Sequence, residues 1–102
     1  MKNLFDLRAL SVAEKTIRAI KHPDRQKIME WLEKNPNSSV TGIYTALKMG
    51  QSECSNHLSI LRTCKVVQNQ RDQKEVRYST NATLVEKLNK IIVSLTKMIE
   101  EA

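Results

Sequence analysis

Between positions 51 and 63 the chain carries Gln51, Ser52, Ser55, Asn56, Ser59, Arg62 and Thr63, a run of small or hydrogen-bonding side chains. At about 100° per residue most of these fall on one side of a helix, whereas Cys54, Leu58 and Leu61 cluster on the other. Small outward residues let a helix backbone approach the edges of base pairs closely. A longer neighbour such as Arg62 reaches bases or phosphates from the rim. The chemistry expected of this face is therefore reversible hydrogen bonding to duplex DNA. Gln51 and Ser52 equally suit the start of a helix, a role compatible with a DNA contact.

Three nearby residues raise other chemistries. Cys54 and His57 stand three apart, the spacing of a thiolate–imidazole pair, yet Cys54 points toward the expected core and no third orienting residue is in view. Catalysis is not expected. Cys64 lies ten residues beyond Cys54, about 15 Å along one helix, so an intrachain disulfide would break that helix. Oxidation of either thiol beneath the polar face would disturb it, with Cys64 the better candidate, although a buried free cysteine also serves as a small hydrophobe. His57 sits at the border between the two faces and suits a packed, hydrogen-bonded role. No glycine-rich phosphate loop occurs, the two glycines being Gly42 and Gly50.

The elements that position this face follow from periodicity and breakers. Leu10, Ala13, Ile17 and Ile20 predict a first helix over 8–21, with Ser11 and Glu14 as a capping box. Pro23 starts a second over 23–34, with Ile28, Met29, Trp31 and Leu32 on its apolar face, ended by Asn35-Pro36-Asn37-Ser38. Ser39 is expected to cap a short third helix with Ile43, Ala46 and Leu47 inward, and a turn through Met49 and Gly50 leads into the polar-faced fourth. Two β-prone stretches, 66–71 and 75–80, flank Asp72-Gln73-Lys74 and predict a hairpin with a charged tip. Leu84, Val85, Leu88, Ile91, Ile92, Leu95, Met98 and Ile99 spread over a final helix, 82–100, in a band wider than one small core needs.

Composition fits this reading. The 102 residues suit one domain, 1–102, and 17 Lys+Arg against 11 Asp+Glu leave a formal charge of +6, which favours a polyanionic partner without identifying one. No segment approaches the roughly 20 apolar residues of a membrane span, and the N-terminal stretch has no signal-peptide pattern, so a soluble, cytoplasmic protein with no membrane partner is expected. Two cysteines are too few for a disulfide framework. A short helix, a tight turn, a polar-faced helix and a basic hairpin make a mainly α (α+β) winged helix-turn-helix: helix-turn-helix over about 39–64, recognition helix 51–64, wing 66–80.

Through His22-Pro23-Asp24-Arg25-Gln26-Lys27-Ile28, Gln51-Ser52, Ser55-Asn56-His57-Leu58, Leu61-Arg62, Val66-Val67 and Tyr78-Ser79, in that order and spacing, the sequence resembles the ArsR-type winged-helix repressors over roughly residues 10 to 100. The resemblance implies five helices, a two-stranded wing, and a homodimer formed through the first and last helices. Leu10, Ile17, Leu88, Ile91, Leu95 and Met98 are the expected dimer residues, since those of the last helix would be exposed in a monomer. It also implies a prokaryotic source and transcriptional repression relieved by an effector, which the sequence leaves unidentified. Carried over by position, Gln51, Ser52, Ser55, Asn56 and Ser59 face the groove, Arg62 lies near phosphates, and Arg71, Lys74 and Arg77 form the wing. Arg77 alternates onto either hairpin face, and all three also suit a solvated hairpin.

Glu53 departs from the family, where a neutral residue is common; beside phosphates a carboxylate repels unless it meets a cytosine amine. Lys48 and Gly50 depart too, leaving Gly50 to cap the fourth helix. Metal-sensing relatives use cysteine pairs in the third helix or wing side, or His and carboxylates on the last helix. Here 40–49 contains neither Cys nor His, and the last helix offers only Glu86, Glu100 and Glu101, so no metal and no cofactor is expected. Besides a DNA-binding dimer, two readings stay open: an interaction module with weak, non-specific DNA affinity, and a repressor that senses oxidants through Cys64 or Cys54.

Overall fold

The computed structural model describes residues 4–102. Residues 1–3, the start of the expected 1–102 domain, lie outside the described residues. Five helices and three strands follow in the order α1 (Leu7–Lys21), α2 (Pro23–Lys34), β1 (Ser38–Ser39), α3 (Val40–Leu47), α4 (Gln51–Thr63), β2 (Val67–Asp72), β3 (Glu75–Thr80) and α5 (Ala82–Glu100). No helix among the described residues is long and apolar enough to cross a membrane.

Local chemistry sets most boundaries. Pro23 opens α2 where a missing N–H costs nothing, and the His22 ring accepts from the Asp24 amide. Ser39 Oγ accepts from the Gly42 amide at 3.1 Å and starts α3 as expected. At α1 the expected capping box is corrected. Asp6 is the N-cap, its Oδ1 taking the Ala9 amide at 3.0 Å, and Ser11 lies inside the helix. Asp6 wins because a carboxylate caps as well as a hydroxyl and begins the helix one turn sooner. Ala46 is also corrected: it is exposed, and Ile43 is the buried residue of α3, with Leu47 half-buried. Eight residues make little more than two turns, which bury a narrow stripe.

The sheet has three strands in the order β1-β3-β2, all antiparallel. The β2/β3 hairpin runs from Val67 opposite Thr80 to Asp72 opposite Glu75, which corrects the turn to Gln73 and Lys74. Gln73 adopts a φ of 55°, the positive dihedral that two-residue hairpin turns demand. The third strand was not expected. Ser38 and Ser39 pair with Tyr78 and Arg77, tying the start of α3 to the base of the wing.

Ile28, Leu32, Ile43, Cys54, Leu58, Leu61, Val66 and Val67 form the core, where α2, α3, α4 and β2 meet. Helix α4 supplies three of these, so the polar face opposite is held by apolar packing behind it. Leu58→Ala is expected to lower unfolding stability by about 2–5 kcal/mol, from lost burial plus the cavity; urea denaturation followed by circular dichroism measures it. Helix α5 buries no residue fully. Leu84 and Leu88 lie half-buried against the core, whereas Ile91, Leu95 and Met98 are exposed. The expectation that Leu88 is exposed in a single chain is thereby corrected: it sits where α5 still overlies the core, and the later residues run past it.

Candidate nucleic-acid interface

Helix α3 ends at Lys48, which takes the left-handed φ of 54°. For a residue with a Cβ that conformation costs about 1–2 kcal/mol. It reverses the chain within three residues, Met49 N donating to Tyr44 O at 3.1 Å, and Gly50 then caps α4 with extended backbone. No side chain bonds the first amides of α4. Glu53 stands in that first turn, where a carboxylate complements the helix dipole.

Along α4 the two faces separate cleanly. Cys54, His57, Leu58 and Leu61 are buried, and Gln51, Ser52, Ser55, Asn56, Ser59, Arg62 and Thr63 are exposed. The six helix residues expected to face DNA, Gln51, Ser52, Ser55, Asn56, Ser59 and Arg62, thus share one exposed surface. Cys64 caps the helix end, half-buried, its Sγ donating to Leu61 O at 3.4 Å.

The wing treats its three cations differently. Arg71 and Lys74 are exposed at and near the tip. Arg77 is turned onto the flank of the hairpin: its guanidinium donates to Asn37 O at 3.0 Å and Glu75 Oε2 at 2.8 Å, with Asp72 Oδ2 at 3.8 Å. Asn37 itself is fixed by Ser79 Oγ, which accepts from its amide and donates to its Oδ1. Arg77 braces the wing against the loop before β1. Asn37, Gln70, Arg71, Asp72 and Arg77 surround a polar hollow of about 380 Å³ along the flank of the hairpin.

A helix with a buried apolar side and an exposed polar side, following a tight turn and followed by a two-stranded wing, is a winged helix-turn-helix. Residues 22–69 match the description of the bacterial regulatory protein, arsR family. The transcriptional repressor PagR of Bacillus anthracis is 37% identical over 76 residues, 74% of this chain and 76% of PagR. The chain belongs to the ArsR family of bacterial regulatory proteins. Its relation to PagR extends to three dimensions: the PagR crystal structure has a TM-score of 0.68 at 33% identity, covering 85% of this chain and 99% of that one. NolR from Sinorhizobium fredii has a TM-score of 0.74 at 26% identity, with 93% and 96% covered. An ArsR-like regulator from Rhodococcus sp. RHA1 shares the fold with a TM-score of 0.81, covering 95% and 88%, although only 16% of residues are identical.

This ArsR-family chain is therefore a DNA-binding transcription regulator with a winged helix-turn-helix. Behind its polar helix lies a cluster that sequence reasoning did not assemble. Arg25 Nε donates to His57 Nδ1 at 3.2 Å, Arg25 Nη1 donates to Ala19 O at 3.0 Å, and the Asp24 amide donates to His22 Nδ1 at 3.2 Å. The His22 and His57 rings lie 4.9 Å apart, and Asp24 Oδ2 is 4.0 Å from His57 Nε2. One group of bonds thus joins the ends of α1 and α2 to the back of α4.

One ligand atom from each of His22, Asp24 and His57 lies within 4.8 Å of the others, a spacing that invites a metal ion. The hydrogen bonds oppose it. Both Nδ1 atoms accept N–H groups, so the proton of each neutral imidazole sits on Nε2, the nitrogen a metal would need. The cluster is a hydrogen-bonded staple. Its signal in sequence was only His22-Pro23-Asp24-Arg25 and a distant His57, with nothing to show that they meet.

Burial, followed by the charges of His22 and Arg25, holds the His57 pKa below its usual 6.5, against the smaller opposing pull of Asp24 and Glu53. The folded protein therefore binds fewer protons than the unfolded chain once pH drops toward 6.5, and folding weakens as pH falls through that value toward the folded pKa. Above it the contribution is complete. Melting temperatures measured between pH 7.5 and 5 are expected to fall on the acid side, and His57→Gln should flatten that fall.

The two thiols differ. Burial, then the Glu53 carboxylate, pushes Cys54 from 9.0 up to about 11, which keeps it protonated and unreactive at neutral pH. Cys64, half-buried at the helix end, is the more accessible of the two.

Proposed function

We propose that the protein is a dimeric, sequence-specific transcriptional repressor that lays α4 in the major groove of duplex DNA. One observation carries the reading: an uninterrupted exposed surface of Ser52, Ser55, Asn56, Ser59 and Arg62 on a helix whose other side is anchored in the core. Small side chains at its centre let the backbone approach base edges, with Asn56 suited to paired hydrogen bonds with adenine. Arg62 and the wing residues Arg71 and Lys74 hold phosphates, and Arg77 sets the angle of the wing.

The dimer reading rests on α1 and α5. Leu10 and Ile17 on α1 and Ile91, Leu95 and Met98 on α5 are all exposed large apolar residues, and so much open apolar surface favours self-association. The homodimeric winged helix-turn-helix DNA-binding domain of Mb0332 from Mycobacterium bovis, which shares this fold at 20% identity and a TM-score of 0.75, supports this by analogy. A two-fold dimer presents two α4 helices to successive major grooves, about 34 Å apart, on a near-palindromic site. Repression is the sense in which the related PagR acts.

Selection from a random duplex library at two salt concentrations, with and without oxidant, tests this. Enrichment of a palindrome, with binding that weakens steeply as salt rises, is the expected result. Binding without enrichment would favour an interaction module instead. Loss of binding in oxidant that Cys64→Ser abolishes would add thiol sensing.

A further inference from the structure

We propose that the cleft between α1 and the C-terminal half of α4 binds a small amphipathic anion of the medium-chain carboxylate class, its head at Lys15 and Lys65 and its tail along Val12, Ile60 and Cys64. The cleft is open to solvent and has a volume of about 680 Å³, within the range of small-molecule sites. Its floor is mostly aliphatic. Four cations border it, Lys15, Arg18, Arg25 and Lys65, and no carboxylate is among the residues that line it.

Two of the four are already committed. Arg18 pairs with Glu14 one turn back, and Arg25 serves Ala19 O and His57. Lys15 and Lys65 form no ion pair among the described residues. Lys15 lies on α1 and Lys65 in the turn just beyond α4, where its backbone N–H donates a hydrogen bond to Arg62 O at 3.0 Å. Ammonium groups above an aliphatic floor suit a carboxylate with an alkyl tail better than bare phosphate, which has no use for the floor.

A second cavity provides an internal contrast. Between α2 and α5 about 440 Å³ is similarly apolar, but its rim is Glu30, Glu33 and Glu86, with no Lys or Arg. Charge therefore directs an anion to the α1/α4 cleft. Nor does the proposed dimer contact cover that cleft, since Val12 lies about 150° around α1 from Leu10 and Ile17. A ligand there touches α1 on one side and Ile60 and Thr63 of α4 on the other, so occupancy is expected to change DNA affinity. That coupling, unlike the binding, rests on α4 being the reading helix.

Calorimetric titration of the full chain with acetate, hexanoate and decanoate at constant ionic strength, together with amide NMR shifts, tests the site. Affinity is expected to rise about fourfold per added methylene, with shifts centred on Val12, Lys15, Ile60 and Lys65. Val12→Asp and Lys65→Asn should each weaken decanoate at least tenfold without lowering the melting temperature. Val12 is exposed, and Asn tolerates the left-handed φ of 68° at position 65. Affinity independent of chain length, or shifts confined to the α2/α5 cavity, would overturn the proposal. Decanoate binding without a change in DNA affinity would overturn the coupling; failure of the unliganded protein to bind DNA would overturn the α4 reading and leave the calorimetric result intact.

Discussion

Ser59→Glu is expected to weaken binding to duplex DNA about 100-fold while leaving the fold intact. Position 59 lies near the centre of the exposed side of α4, opposite the buried Cys54, Leu58 and Leu61. A longer, charged side chain there holds the backbone away from the base edges and sets a carboxylate among phosphates. Losing close contact at one base pair is worth about 1–3 kcal/mol, and the repulsion adds to it. An exposed substitution away from the core changes stability by about 0.5 kcal/mol or less. Fluorescence anisotropy with a selected duplex measures the first quantity and thermal denaturation the second. Unchanged affinity would remove α4 from the groove.

The double variant Ile91→Glu with Leu95→Glu is expected to convert the dimer to monomers and to reduce affinity for a two-half-site operator by roughly 10²–10⁴-fold, the gain that linked binding sites ordinarily provide. Ile91 is 64% exposed and Leu95 51%, so neither change disturbs the chain's own core. The structure selects these two over Leu88, which is half-buried against the core, where a charge would cost stability as well as dimerisation. Sedimentation velocity at micromolar concentration reads the oligomeric state. A wild-type monomer would defeat both the dimer and the two-half-site arrangement.

Both predictions depend on a helix pattern that is legible in the amino-acid sequence alone. The helices were legible because each carries apolar residues at three-to-four spacing between strong punctuators: Pro23, the Asn35-Pro36-Asn37-Ser38 run, Gly50. The division of α4 into a core side and a polar side followed from the same arithmetic, and burial along α4 agrees with it residue by residue. Strand β1 was illegible. Two serines carry no strand propensity of their own, and they become a strand only because Tyr78 and Arg77, about 40 residues on, offer their backbone groups.

The cations of the wing show the same boundary. Sequence placed Arg71, Lys74 and Arg77 together in the wing and left Arg77 free to take either hairpin face; in the structure two are exposed and the third is turned onto Asn37, Glu75 and Asp72. Which residues bring carboxylates and carbonyls to a guanidinium is decided by strand register, and register depends on the turn.

By itself, then, the sequence determined the helices, the polar face of α4, the hairpin and the surplus of apolar residues on α5, because each is written in the periodicity and capping of neighbouring residues. Tertiary structure alone decided that His22, Asp24, Arg25 and His57 meet, that Leu88 faces the core while Ile91 and Leu95 face outward, and that Lys15 and Lys65 flank one cleft. Those outcomes depend on which surfaces approach one another across 30 or more residues of chain, and local periodicity carries no record of that.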